Sequence, residues 1–259
     1  MIHSVKLVLF FFGYQLLFSI IMTGVSFLLP LSKPTLLGSS LLLSGLAFII
    51  HLIWRKEISL KKTFKPINLR LFVAGIGCIV GSILFISALS ELIVLPDWNE
   101  EQFILISQSV IGLFSIAIIG PLAEEFLFRG AIMDRLTKQG WKPQKAILVS
   151  ALIFGIIHFN PAQIPFAFFM GLVFGWITWR TSSLLPVIVG HILNNTLGIA
   201  QIYVSTHYGI EVSIETNSLL IIALIGLILM CTVGYWLSQN YPVQQNIYND
   251  LNNNKIITK

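Results

Sequence analysis

Side chains that could carry out hydrolysis lie within stretches of this sequence that are otherwise hydrophobic. A charged group at the middle of a bilayer costs roughly 2.5–3.5 kcal/mol on insertion scales, so a chain is not expected to keep several of them without a structural or chemical reason. Carboxylates and imidazoles exchange protons with water, and an amide can stabilise an oxyanion. The residue types therefore predict a hydrolytic site built from Glu124, Glu125, His158, His191 and Asn195, with Arg129 in support.

The first motif runs from Pro121 to Arg129. Proline suits the first turn of a helix, so a helix is expected to begin here. Glu125 and Arg129 are four residues apart, which places them on one helix side and predicts an ion pair. Glu124 points about 100° away and stays available as a general base or acid. Taken alone, the motif could also be interfacial, with both acids solvated and structural.

The two histidine motifs lie further along the chain. His158 ends the apolar stretch that begins near Phe154, and His191 is followed by Asn195 one helical turn later. The second pair shares a helix face and could hold a water, a metal ion or an oxyanion, whereas Asn194 is expected to point elsewhere. Either histidine could instead be a packing residue or an interhelical hydrogen-bond clamp, which are common in membrane bundles.

The composition indicates which elements must position these residues. The chain has 259 residues, of which 56% are hydrophobic and 10% charged, with a mean hydropathy of +0.86. A soluble domain has about 25% charged residues. We therefore expect an all-α, polytopic membrane helix bundle with one transmembrane domain over 1–238 and a disordered cytoplasmic tail over 239–259. About eight spans are predicted, at 7–29, 35–54, 70–95, 103–122, 146–159, 163–180, 184–204 and 218–238.

Basic residues are concentrated in alternate loops. The loops after the second and fourth predicted spans contain most of them, namely Arg55, Lys56, Lys61, Lys62, Lys65 and Arg70, then Arg129, Arg135, Lys138, Lys142 and Lys145. The loops of the other parity contain mainly acids. By the positive-inside rule, both termini are expected to be cytoplasmic in a multi-pass protein of the cell membrane. This distribution accounts for the net charge of +5, so no nucleic-acid partner is predicted.

The two cysteines, Cys78 and Cys231, each lie inside a hydrophobic run. Small buried thiols are the expected interpretation, and two cysteines are too few for a disulfide framework.

The three motifs, in this order, resemble the CAAX protease and bacteriocin-processing (Abi) family of intramembrane proteases. The family pattern is Glu-Glu-x-x-x-Arg, then Phe-x-x-x-His, then His-x-x-x-Asn or Asp. Here it is matched in full within residues 103–204. The resemblance implies an α-helical bundle with a water-filled cavity that opens toward the cytoplasmic side. It also implies a peptide or protein substrate in contact with the lipid bilayer, with lipidated and bacteriocin-like peptides as candidates.

The resemblance implies roles for the individual residues. Glu124 would be the general base that activates water, and His158 would orient that water or share its proton. His191 and Asn195 would stabilise the oxyanion, and Glu125 would be held by Arg129 or support Glu124. A zinc ion held by His158, His191 and Glu124 is an open alternative, because two histidines and a glutamate form a known catalytic zinc ligand set. The usual zinc motif of two histidines four residues apart is absent, however.

Two other functions are compatible with the same residues. A non-enzymatic bacteriocin immunity or binding protein would not need the intact set of acids, histidines and amide. A proton-coupled transporter can use glutamate and histidine relays, but no inverted halves or paired broken helices are evident in the sequence. We therefore expect an intramembrane endopeptidase of the CAAX prenyl protease and bacteriocin-processing type.

Overall fold

A computed structural model describes residues 2–209 and 214–241. In these ranges the chain forms ten helices, and seven of them are long and apolar enough to cross a membrane. The predicted polytopic helix bundle is thereby confirmed. Residues 242–259, most of the predicted disordered tail, lie outside the described residues. The helices are α1 (Ile2–Ser26), α2 (Lys33–Trp54), α3 (Leu60–Thr63), α4 (Leu69–Leu92), α5 (Glu100–Ser107), α6 (Val110–Lys138), α7 (Pro143–Ile156), α8 (Ile164–Thr181), α9 (Leu185–Tyr208) and α10 (Thr216–Asn240).

The predicted fifth span, 146–159, is the short helix α7, which has 14 residues. At about 1.5 Å per residue it is roughly 21 Å long. It packs along α8, with which it forms a helical hairpin. Small residues allow this close packing: a Cβ added to Gly171 would lie 2.9 Å from the Cβ of Ala151. The hairpin places the first residue of α7 and the last residue of α8 at the same end of the bundle.

The helix α6 corrects two sequence-based predictions. The predicted span 103–122 is interrupted after α5, and Ser109 caps the helix that follows by accepting a hydrogen bond from the Gly112 amide at 3.0 Å. From there α6 continues to Lys138 without a break, so Pro121 lies inside the helix and does not begin it. Arg129, counted above among the loop residues, is only 2% exposed within this helix. The charge of Arg129 lowered the mean hydropathy of this segment, so the segment was assigned to a loop. In the structure, a neighbouring carboxylate compensates that charge.

One end of the bundle gathers the basic loops, and we call it the basic end. Lys62, after α2, forms an ion pair with Asp134 of α6. The Leu184 amide donates a hydrogen bond to the Thr63 carbonyl at 3.0 Å. Both described chain ends lie here too. His3 contacts Glu57 at 3.0 Å, and the Arg180 guanidinium donates to the Tyr241 carbonyl at 3.4 Å.

The opposite end joins the loop 93–99 to the turn 157–163, and we call it the acidic end. The Asn160 side chain is fully buried and is central to this junction. It accepts a hydrogen bond from the Trp98 amide at 3.1 Å and donates one to the Asp97 carboxylate at 2.8 Å. The contacts at the two ends agree with the alternation of loops predicted from charge, with the hairpin α7–α8 counting as two passes.

The pair α4 and α10 forms the most extensive helix contact of the bundle. Glycines make it possible, since a Cβ added to Gly81 would lie 2.6 Å from the Met230 amide nitrogen and 2.8 Å from the Gly226 carbonyl oxygen. Cys78 is buried beside this contact, whereas Cys231 is exposed on α10. Both thiols are free. The predicted burial is confirmed for Cys78 and was wrong for Cys231. The close packing holds α4 in place as one wall of the cavity described below.

Candidate active site

A buried ion pair lies at the centre of the bundle. Arg129 donates a hydrogen bond from Nη1 to Glu125 Oε1 at 2.7 Å, and the Glu125 side chain is 0% exposed. The pair agrees with the four-residue spacing in the sequence. The guanidinium lies between two aromatic rings, 4.5 Å from the centroid of Phe154 and 5.3 Å from that of Phe174. It also donates to the Gly171 carbonyl at 3.3 Å. Such contacts stabilise a cation far from water.

The imidazole of His191 bridges the two adjacent carboxylates. Its Nδ1 lies 2.8 Å from Glu125 Oε1, and its Nε2 lies 3.6 Å from Glu124 Oε2. Because a carboxylate paired with an arginine only accepts hydrogen bonds, Nδ1 must carry the proton of that shorter contact. The Nε2 atom of a neutral ring is then an unprotonated acceptor. Helix α9 therefore presents a lone pair to the first glutamate of the motif.

Glu124 and His158 are more accessible than the buried pair. The Glu124 side chain is 20% exposed, and both residues line a cavity. His158 follows the last turn of α7, where its Nδ1 donates to the Phe154 carbonyl at 2.8 Å. A carbonyl only accepts, so Nε2 of a neutral His158 is again the unprotonated nitrogen. Three motifs from three separate helices thus supply one basic carboxylate and two basic imidazole nitrogens.

Asn195 also lines the cavity. Its Nδ2 donates to the Ile116 carbonyl at 3.0 Å, and its Oδ1 accepts from Asn194 at 3.2 Å. The Ile116 carbonyl lies in a π-helical stretch of α6, Ser115–Ile119. One N–H of the Asn195 amide is therefore used to join α9 to α6, and the second remains for another acceptor. Asn194 was expected to point elsewhere, yet it lines the same cavity.

The cavity that contains these residues has a volume of about 920 Å³, and we call it the site cavity. Its inner end is formed by Glu124, His191 and Phe174, and its outer end reaches Asp97 and Ser205. It therefore extends to the acidic end of the bundle. The family resemblance implied an opening toward the cytoplasmic side. The orientation of the bundle in a membrane stays a prediction, but the described lining runs away from the basic end, to which the positive-inside rule assigns that side. A layer of buried side chains fills the bundle on that side.

The predicted zinc ligands were His158, His191 and Glu124. In the parts of the chain that the structure describes, no group of three His, Cys, Asp or Glu side chains is arranged to hold a metal ion. The donor chemistry is suitable, since each imidazole has an unprotonated Nε2 and His191 is oriented by a carboxylate. The relative positions of the three residues do not form a ligand set, so no metal-dependent step is derived below.

Sequence reasoning missed two groups that support the site. Phe174 stacks on Arg129, but in the sequence it is one of many phenylalanines in an apolar helix. The junction of Asp97 with Asn160 fixes the turn that carries His158, and the Asn99 side chain donates to the His158 carbonyl at 3.4 Å. An Asn-Pro pair directly after the histidine motif signalled a turn. Its distant partner in the loop 93–99 was not predictable from local pattern.

Comparison with known proteins gives one match. Residues 106–197 match the family model described as "Type II CAAX prenyl endopeptidase Rce1-like". The matched range contains every residue of the three motifs, from Glu124 to Asn195, and it confirms the resemblance that they indicated. No curated protein and no solved structure matches the chain.

Proposed function

Because residues 106–197 belong to the Rce1-like family of type II CAAX prenyl endopeptidases, a peptidase family, we propose that this protein is an intramembrane endopeptidase whose general base is Glu124. The observation that carries the assignment of residues is the bridge formed by His191. One of its two carboxylate partners is neutralised by a buried arginine, and the other lines a cavity. Only the second carboxylate is placed to exchange a proton with bound water.

The first step is attack by water on the peptide carbonyl. Glu124 takes a proton from the water while the water oxygen forms a bond to the carbonyl carbon. The unprotonated Nε2 of His158 accepts the other water hydrogen as a hydrogen bond and so orients the nucleophile. A positioned base of this kind contributes about 10²–10⁴ in rate. The site cavity supplies the space for both the water and the peptide.

The second step is collapse of the tetrahedral intermediate. The Asn195 amide stabilises the oxyanion through the N–H that Ile116 does not use. His191 Nε2 becomes a second donor when it shares the water proton held by Glu124, whose Oε2 lies 3.6 Å away. Loss of one oxyanion donor costs about 10²–10³ in rate in other enzymes. The C–N bond then breaks, and Glu124 returns its proton to the leaving amine. The products are a free carboxylate and a free amine, and no other reactant is consumed.

The buried pair of Glu125 and Arg129 supports this chemistry without touching the substrate. Glu125 Oε1 receives hydrogen bonds from both Arg129 and His191, which fixes the orientation of the imidazole. Once the cluster of Glu124, Glu125, Arg129 and His191 holds the proton taken from water, its net charge is zero, a condition that favours a buried site. Glu125 is therefore proposed as a positioning residue, and Glu124 as the residue that transfers protons.

The substrate is proposed to be a peptide or protein, with lipidated CAAX-type and bacteriocin-like peptides as candidates. A multi-pass protein with these helices works in a membrane, and we propose the cell membrane with both termini cytoplasmic. Ala162, in the turn between α7 and α8, and Phe166, in the first turn of α8, line the wall of the site cavity. That wall suits a hydrophobic part of the substrate.

Substitution of the base provides the direct test of the function. Purified wild type is incubated with a peptide library that includes prenylated and unprenylated CAAX peptides, and the products are identified by mass spectrometry. Glu124→Gln should lower kcat by about 10²–10⁴-fold while the protein stays folded. Glu215→Gln, at an exposed residue before α10, is the matched control and should cleave like wild type.

Two outcomes would contradict the proposal. Full cleavage by Glu124→Gln would remove the glutamate as the base. Absence of cleavage by any form, together with a Glu124→Gln variant that still rescues a deletion phenotype in cells, would support a non-enzymatic binding or immunity protein.

Removal of metal ions tests the zinc alternative. The described residues contain no three-residue ligand group, so cleavage by the purified protein should persist after exhaustive chelation. Elemental analysis of the same sample should find no stoichiometric zinc. Stoichiometric zinc that is lost together with activity, and restored together with it, would assign His158, His191 and Glu124 as ligands instead.

A further inference from the structure

We propose that substrates reach the site from the acidic end of the bundle, on the membrane face opposite the basic loops, and that the peptide they present is positively charged. The proposal rests on the proposed function, whose site it deepens. The proposed route differs from the cytoplasmic opening that the family resemblance implied. The positive-inside rule assigns the basic end to the cytoplasm, and the proposed route begins at the other end.

The path of the site cavity along α9 supports this direction. His191 lies near the basic end of α9, and Ser205 lies near its other end; both line the cavity. At about 1.5 Å per residue, they are roughly 21 Å apart along the helix axis. On α4 the lining residues likewise begin near the middle, at Ile83, and continue to the last turn at Glu91. A substrate therefore approaches the reactive groups from the acidic end.

The opposite direction is blocked by packed side chains. Between the reactive groups and the basic loops, α6, α8 and α9 contribute apolar residues that are 0% exposed, among them Leu127, Ile132, Leu136, Ile177 and Val187. None of these five lines the cavity. Close-packed interiors of this kind leave no passage for a peptide. The packed side chains thus close the site cavity on the side of the basic end.

The charge along the path is of one sign. Four acidic residues line the cavity, namely Glu91, Asp97, Glu100 and Glu124, and its described lining contains no Lys or Arg. Between these acids the walls are apolar, with Ile86, Val94 and Phe103 among them. A negative potential in a low-dielectric cleft attracts cations and repels anions. The chemistry that fits is a peptide with lysine or arginine next to a hydrophobic segment.

Cysteine labelling tests the direction without any need for activity. In a Cys231→Ser background, Ser90→Cys places a thiol on an exposed, cavity-lining position of α4, and Gln139→Cys places one on an exposed position at the basic end. Cells are treated with a membrane-impermeant maleimide before and after permeabilisation. Ser90→Cys should be labelled in intact cells, and Gln139→Cys only after permeabilisation. The reverse pattern, or labelling of both from the same side, would overturn the proposal.

A matched pair of glutamates tests the charge preference. Glu100 lines the site cavity, while its neighbour Glu101 does not. Two peptides are compared that differ only by lysine or glutamine beside the cleaved segment. Glu100→Gln should lower kcat/KM for the lysine peptide about two- to fivefold, because a single exposed ion pair contributes little. The effect should shrink at high salt. Glu101→Gln should leave both peptides unaffected.

Equal cleavage of the two peptides by wild type would overturn the charge preference. Cleavage of neither peptide, nor of any other, would instead count against the proposed function. The labelling pattern would still decide the face from which the cavity opens.

Discussion

At the scale of single residues, the site places two adjacent and chemically identical glutamates in different environments. Glu125 faces Arg129 and is removed from water, whereas Glu124 lines the cavity beside His191. One oxygen of Glu125, Oε2, is buried and has no hydrogen-bond partner among the described residues. A buried acceptor without a partner is costly. The cost is tolerated because the other oxygen of the same carboxylate accepts hydrogen bonds from both Arg129 and His191.

Removal of the arginine should be among the most damaging single changes in the chain. Arg129→Gln leaves the Glu125 carboxylate buried without its cation, which typically costs about 3–5 kcal/mol. We expect a large loss of thermal stability in detergent, measured by a thermal-shift assay, and loss of cleavage. Arg129→Lys keeps the charge but loses the second donor to Gly171, so its stability should be intermediate. Arg70→Gln, at an exposed site, is the control and should melt like wild type.

Equal melting temperatures for Arg129→Gln and wild type would show that the buried pair does not hold the site together. A folded, stable Arg129→Lys variant with unchanged kcat would show that the fork of the guanidinium is not needed to orient His191.

At the scale of helices, α6 presents the first motif from a short α-helical segment between two π-helical ones. The segment Gly120–Glu125 is flanked by Ser115–Ile119 and Phe126–Met133, which have the wider turn. Such stretches often occur at functional sites. The wider turn also accommodates Pro121, whose missing N–H would otherwise break an α-helical hydrogen bond. Both glutamates can therefore lie in mid-helix, three and four residues after a proline.

The contact between α4 and α10 gives a prediction at the same scale. Gly81→Ala would place a methyl group 2.6 Å from the Met230 backbone nitrogen, so the two helices must separate. Overpacking of this kind costs about 1–3 kcal/mol. Gly77→Ala, one turn earlier and against the same helix, meets only Val233 at 3.8 Å. Gly77→Ala should be neutral or slightly stabilising, because alanine favours helix by about 1 kcal/mol.

Thermal unfolding of the two alanine variants in detergent checks this pair. Equal melting temperatures would contradict the description of Gly81 as the point of closest helix approach.

At the scale of the whole molecule, the sequence was most informative where a strong physical rule applied. Hydropathy predicted a polytopic bundle, and alternation of charge predicted which loops meet at each end, as the contact between Lys62 and Asp134 illustrates. Spacing predicted the pair of Glu125 and Arg129. Hydropathy failed at α6, because a compensated charge such as Arg129 counts in a window average as if it were exposed to lipid. The direction of the cavity depends on packing between distant helices, which no local pattern contains.

The shortness of α7 has a consequence for the surrounding lipid. The hydrocarbon core of a bilayer is about 30 Å thick, and α7 is about 21 Å long. Its outer face carries Leu148, Leu152 and Ile156, each 49% exposed. Hydrophobic mismatch of this size is relieved when the bilayer thins locally. Thinning would draw headgroups inward beside the helix that precedes His158. The rate of cleavage would then depend on the acyl-chain length of the surrounding lipids.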